Sequence, residues 1–173
     1  YKFTKCEISL SPNSFVINDD RPVFMSVSEI LKSSAEHTKA LLLKELEIQL
    51  AELQEKWQWV SLERIFIENE IYEDIKKCTT DEAINTTIDE GLKPFVKNLI
   101  RPVTIDDILT LRKIPIERIS KYNSSKADDV LAAVEDDMAQ VKYDIDHIID
   151  YSIAYFERIK EKYGKGRERK TEI

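Results

Sequence analysis

Residues 43–71 read LKELEIQLAELQEKWQWVSLERIFIENEI. Leu43, Leu46, Leu50, Leu53, Trp57 and Val60 recur in alternating steps of three and four, and the spacing continues at Ile67 and Ile71. Residues so spaced share one face of an α-helix and form a heptad seam. No Gly or Pro interrupts 27–75, and Ser26-Val27-Ser28-Glu29 opens the stretch with a capping box. About 49 residues of helix span roughly 73 Å at 1.5 Å per residue, far beyond the usual globular helix. The stretch therefore predicts an arm.

A second seam lies further on. Ala127, Leu131, Val134, Met138, Val141, Ile145, Ile148, Ser152, Tyr155 and Ile159 again alternate steps of four and three. This predicts a helix from Ser124 to Tyr163, ended by Gly164 and Gly166. Two such apolar stripes left in water would aggregate. The economical arrangement pairs them as an antiparallel two-helix coiled coil, with Leu46, Leu50, Leu53 and Trp57 facing Met138, Val141, Ile145 and Ile148. A compact helical bundle is the alternative; it does not require two helices so much longer than the rest.

The residues between the arms read as short helices. Thr79-Thr80-Asp81-Glu82 is a start signal and Gly91 a candidate stop. Pro94 opens a short piece, and Thr104-Ile105-Asp106-Asp107 starts another that Pro115 ends. Before the first arm, residues 1–25 read as a small β element. Cys6, Ile8 and Leu10 alternate with polar residues, and Phe15-Val16-Ile17 and Val23-Phe24-Met25 flank a turn-rich Asn18–Pro22. The expected organisation is mainly α: a β element at the base (1–25), a first coil helix (26–77), a helical knob (78–123), a second coil helix (124–163) and a return tail (164–173).

Composition narrows the chemistry. The chain has 173 residues, 26 Lys+Arg against 33 Asp+Glu, a net charge of −7 and only 3 Gly. Phosphate-cradling loops, tight hairpins in number and dinucleotide folds all need more residues that tolerate positive φ. Cys6 and Cys78 form no disulfide scaffold and no CxxC or Cys/His zinc pattern, and read as small hydrophobes. No apolar run is long enough to cross a membrane, and no signal peptide opens the chain. Tyr1 rather than Met begins it, as expected of a piece of something longer, and a reduced, cytoplasmic setting is the default.

Catalytic candidates are poor. His37 and His147 each stand alone on an arm helix. Between Lys126 and Asp150 eight acids face only Lys126 and Lys142, a local net of −6, and read as a solvated face. Arg158, Lys160, Lys162, Lys165, Arg167, Arg169 and Lys170 cluster near the end. They read equally as a nucleic-acid footprint or as cations favoured at a helix C-terminus. Ile105, Ile108, Leu109, Leu111, Ile114, Ile116 and Ile119 crowd fifteen residues of the knob. They either form the knob's own core or leave spare apolar surface for twofold self-association. The second reading makes Ile105, Ile108, Leu109, Leu111, Ile114 and Ile116 a dimer interface.

Three phrases then carry a resemblance. LTLRKIPIERI (109–119) resembles the short helix and turn before the second coil in the A subunits of bacterial type IIA DNA topoisomerases. YGKGRERKTEI (163–173) resembles the phrase that follows that coil, closer to topoisomerase IV than to gyrase. ISLSPN (8–13), with the helix start that follows it, resembles the lead into the first coil. The resemblance implies the coiled-coil arm and exit gate of such a protein, whose knob meets its twofold partner and opens to release a transported duplex. For the whole enzyme it implies a homodimer, with duplex DNA and the topoisomerase B subunit for partners, no membrane, and a bacterial cytoplasmic setting. It implies no cofactor on these residues, the parent's ATP and Mg lying on other domains or on the B subunit. The family's nucleophilic tyrosine follows an arginine; none of the seven tyrosines here does. No catalytic or metal residue is therefore carried over, and these residues alone are expected to be inactive. A nucleic-acid-binding hairpin would want a basic arm, and a purely structural spacer would want a polar tip; the acidic run and the isoleucines of 105–119 argue against them.

Overall fold

The computed structural model describes residues 13–18 and 20–168. The expected strand at Cys6, Ile8 and Leu10, and the last basic residues Arg169 and Lys170, lie outside the described residues. The chain is mainly α and falls into two compact units, Tyr1–Lys44 with Ile148–Ile173, and Glu45–His147.

In the first unit, β1 (Phe15–Asn18) and β2 (Arg21–Phe24) pair antiparallel, with Phe15 opposite Phe24 and Asn18 opposite Arg21. Asp20 takes a φ of 59° in the tight connection, a left-handed conformation that Asp tolerates better than most residues. The Phe15 and Phe24 rings meet edge to face at 6.1 Å. Ser14 closes the open end, its hydroxyl donating to the Met25 carbonyl at 2.6 Å. The capping box follows: the Ser26 N–H donates to Glu29 Oε2 at 2.7 Å, and the Glu29 N–H reaches back to Ser26 Oγ at 3.4 Å.

The helix so capped, α1, runs Val27–Glu68. It stops short of the expected end. Glu70 adopts φ 53°, ψ 28°, its N–H bonds the Ile67 carbonyl at 3.1 Å, and the Asn69 side chain donates to the Ile65 carbonyl at 2.9 Å. A left-handed residue just past the last turn ends a helix whatever follows. The remainder forms a separate turn, α2 (Ile71–Ile75).

Four short elements continue the second unit: α3 (Asp81–Leu92), a 3-10 turn (Lys93–Asn98), α4 (Ile105–Leu111) and α5 (Ile116–Ser120). Thr80 caps α3 by accepting the Ala83 N–H, and Pro94 sits in the first turn of the 3-10 piece. Gly91 is not the stop that its type suggested. It lies inside α3, where a Cβ would come within 3.0 Å of Ile71 Cγ2, so its role is close approach to α2. Leu62, Phe66, Ile67, Ile71, Ile88, Leu92, Ile108 and Leu111 form one core, flanked by Tyr72, Ile84, Val103, Ile119 and Tyr122 among others.

The helix predicted over 124–163 is divided. Asn123 caps α6 (Ser124–Asp146), and α7 runs Ile148–Tyr163. At His147 ψ turns to 39°, so its carbonyl leaves the axial ladder, while the ring stacks on Tyr143 at 4.1 Å and its Nδ1 lies 2.9 Å from the Tyr143 carbonyl. Seam spacing alone carries no signal for such a break, because the apolar period runs straight through it. In α7, Ser152 is buried at its seam position by returning its hydroxyl to the Ile148 carbonyl at 2.7 Å. Gly164 follows the last turn; a Cβ there would lie 2.4 Å from the Lys160 carbonyl oxygen.

Candidate functional site

Within the second unit α1 and α6 run antiparallel, joined by polar bonds in a steady register. Trp57 Nε1 donates to Glu135 Oε1 at 2.8 Å, Arg64 pairs with Asp128, and Ser124 Oγ donates to Glu68 Oε1. As the α1 number rises from 57 to 68, the α6 number falls from 135 to 124. Leu46, Val134, Met138 and Val141 are buried; Leu50, Leu53, Trp57 and Ile145 are half-buried. In the first unit Ile148 is half-buried.

The six residues expected at an interface separate into two sets. Ile108 and Leu111 are 6% and 1% exposed and belong to the unit's own core, with Ile114 half-buried beside it. Ile105 and Ile116 are 71% and 80% exposed, and Leu109 is partly exposed, as is Ile100 just before α4. The split follows from the helical period: Ile108 and Leu111 are three apart on the inner side of α4, and Ile105 and Leu109 are four apart on its outer side.

The outer face sits on a polar scaffold that sequence reasoning missed. Gln58 of α1 is 1% exposed. Its Oε1 accepts the N–H groups of Ile100 and Arg101 at 3.1 and 3.5 Å, and its Nε2 donates to the Arg101 carbonyl at 3.0 Å. The pattern of two donors and one acceptor fixes which way the amide points. The Arg101 guanidinium lies between Glu55 of α1 and Asp107 of α4. Thr104 and Asp107 form a complete capping box at the start of α4. On the other side Glu63, buried, meets Arg118 of α5, with Arg118 Nη2 to Glu63 Oε2 at 2.8 Å. Arg112 ties the end of α4 to Asn85 of α3 at 3.0 Å. A signal for this existed: in 58–67 apolar and polar residues occupy all sides of α1, and a helix surrounded on all sides must pair its polar groups.

Several carboxyls here are stabilised as anions. Burial alone would raise Asp107, but hydrogen bonds from Arg101 and from the Thr104 N–H and hydroxyl hold it below its ordinary range. Glu55 is lowered by the Arg101 fork, and Glu68 by the Ser124 hydroxyl and then Arg64. A depressed folded-state pKa contributes stability above the unfolded pKa and loses it as pH falls through the folded value. The melting temperature is therefore expected to hold from neutrality down to about pH 5 and to fall progressively below the ordinary carboxylate range of roughly 3.9–4.3. Circular dichroism melts from pH 7 to pH 2 check this; a melting temperature that rises on acidification contradicts it.

The other candidates do not converge. His37 is exposed, and among the described residues no group of three or more His, Cys, Asp or Glu side chains comes together. Cys78 is a half-buried free thiol 3.3 Å from Thr87 Oγ1. No described helix is long and apolar enough to cross a membrane.

These features define a mainly α protein in which one long helix carries a small helical core and an exposed apolar face. The chain belongs to the DNA gyrase/topoisomerase IV A-subunit family, whose model matches residues 1–156. It is 31% identical over all 173 residues to the A subunit of DNA topoisomerase 4 from Borreliella burgdorferi, and covers 28% of that protein. It is 28% identical over 134 residues to the A subunit of DNA gyrase from Leptospira biflexa, a match over 78% of this chain and 15% of the relative. The chain thus spans less than a third of the length of these curated relatives.

Proposed function

We propose that this chain forms the exit gate in the A subunit of a type IIA DNA topoisomerase: a reversible twofold contact through which a passed duplex leaves. Family membership supplies the context. The observation that carries the reading is the pair of exposed isoleucines, Ile105 on α4, whose Ile108 and Leu111 already belong to the core, and Ile116 on α5, whose Ile119 packs against that core. Ile105 and Leu109 lie one turn apart on the outer side of α4, and with Ile116 they leave aliphatic surface for a contact to cover. A gate must hold and release, which suits a non-obligate interface of ordinary size. In this reading strand cleavage, ATP, Mg and the B-subunit contact belong to other parts of the parent enzyme, and the local −6 of 126–150 suits a surface that DNA passes without sticking.

Sedimentation of the chain over a range of concentrations tests it. The expected result is a concentration-dependent dimer that Ile105→Asp with Ile116→Asp converts to monomer, at a melting temperature within a few degrees of the parent, since exposed substitutions usually move stability by about 0.5 kcal/mol or less. A parent chain that stays monomeric at the highest concentrations, or a double variant that dimerises as well as the parent, overturns the reading.

A further inference from the structure

We propose that Glu55 on α1 sets, through Arg101, the pose of the outer face of α4, and is a positioning residue for self-association through that face. The inference rests on the gate reading above and names the device that aims the contact.

α4 has seven residues, too few to keep a direction of its own. Ile105 is its first residue and Leu109 lies one turn on, so the tilt of its N-terminal turn decides where both point. Beyond the core contacts of Ile108 and Leu111 and the bonds from Gln58, that turn is braced by one guanidinium. Arg101 Nε and Nη2 donate to Glu55 Oε1 and Oε2 at 2.9 and 2.7 Å. Its Nη1 and Nη2 donate to Asp107 Oδ2 and Oδ1 at 2.6 and 3.0 Å, and Nη1 also donates to the Pro102 carbonyl at 3.2 Å. All five N–H donors of the side chain are engaged. Asp107 in turn holds the Thr104 N–H at 2.8 Å, closing the cap of α4. A planar fork saturated on both edges fixes an angle as well as a distance. The long helix is thus linked to the start of α4 through two side chains.

The exposures separate aiming from stabilising. The Asp107 side chain is 12% exposed and that of Glu55 is 61% exposed. An ion pair so open to water contributes little to folding. Removing Glu55 therefore leaves Asp107, the cap and Gln58 in place, and frees only the orientation.

The test compares the parent chain with Glu55→Ala and with Arg101→Lys, which keeps the charge and loses the fork, by sedimentation equilibrium and thermal melts on the same samples. The expected result is a dimer dissociation constant raised about two- to fivefold in Glu55→Ala, the range that an exposed ion pair can supply, with the melting temperature within a few degrees of the parent, and a similar or larger weakening in Arg101→Lys. A Glu55→Ala dimer as tight as the parent's overturns the inference and leaves the gate reading standing. Weakening that tracks a large fall in melting temperature makes Glu55 structural only and also overturns it. A parent chain that is monomeric throughout removes both readings together.

Discussion

Phe66→Ala is expected to lower the stability of the second unit by about 3–5 kcal/mol, the range for truncating a buried aromatic in a packed core. Phe66 is 2% exposed and packs in the cluster of Leu62, Ile71, Ile88, Leu92, Ile108 and Leu111, with the Tyr72 ring 6.3 Å away. These neighbours come from α1, α2, α3 and α4, so the phenyl group sits where four elements meet. None can close over the space it leaves without dragging the others, and cost rises when a site cannot collapse. For a chain of this size the melting temperature should fall by roughly 10 °C. Amide exchange should accelerate across α3 and α4 and stay unchanged in the β1–β2 hairpin, which belongs to the other unit. A loss under about 1 kcal/mol, a typical value for an average substitution, would show that these residues are not one core.

Gln58→Leu is expected to cost about 2–3 kcal/mol, although it replaces a polar side chain with an apolar one at a buried position. The leucine fills the space but leaves the Ile100 and Arg101 N–H groups and the Arg101 carbonyl without their partner. Each buried backbone group left unpaired costs about 1–3 kcal/mol. Ile100 and Arg101 are partly open to water, which recovers some of that. Urea unfolding of the variant checks the value, and exchange at the Ile100 and Arg101 amides, read by NMR, locates it. A variant more stable than the parent would mean that hydration replaces the glutamine fully. A second consequence concerns the dimer: because Gln58 and Glu55 both bear on the segment before α4, Gln58→Leu should weaken self-association as well, but with a loss of stability that Glu55→Ala lacks.

The contrast between these residues explains how far the amino-acid sequence could be read. Leu46, Leu50, Leu53 and Trp57 announced a long helix with one apolar side because their spacing is a local property of a 3.6-residue turn. Ser26, Thr80 and Thr104 announced where helices begin, because a capping hydroxyl acts on amides two or three residues away. The family phrases at 109–119 and 163–173 were legible for the same reason, as uninterrupted runs. Gln58 looked like one more polar residue beside a seam. Its partners are 42 and 43 positions away, and no local pattern encodes them.

What the sequence determined by itself is therefore the helical class, the two heptad stripes, the starts of α1, α3, α4 and α6, and the family. Those properties come from backbone propensity, capping and periodicity, each acting within a turn or two. Only the tertiary structure decided which knob isoleucines are core and which are surface, ended α1 at a left-handed Glu70, broke the second long helix at His147, and gathered Glu55, Gln58, Arg101 and Asp107 into one bonded group. The physical reason is that burial and polar pairing are set by which elements meet, and residues of identical type on one short helix, such as Ile105 and Ile108, acquire opposite roles from the side on which their neighbours lie.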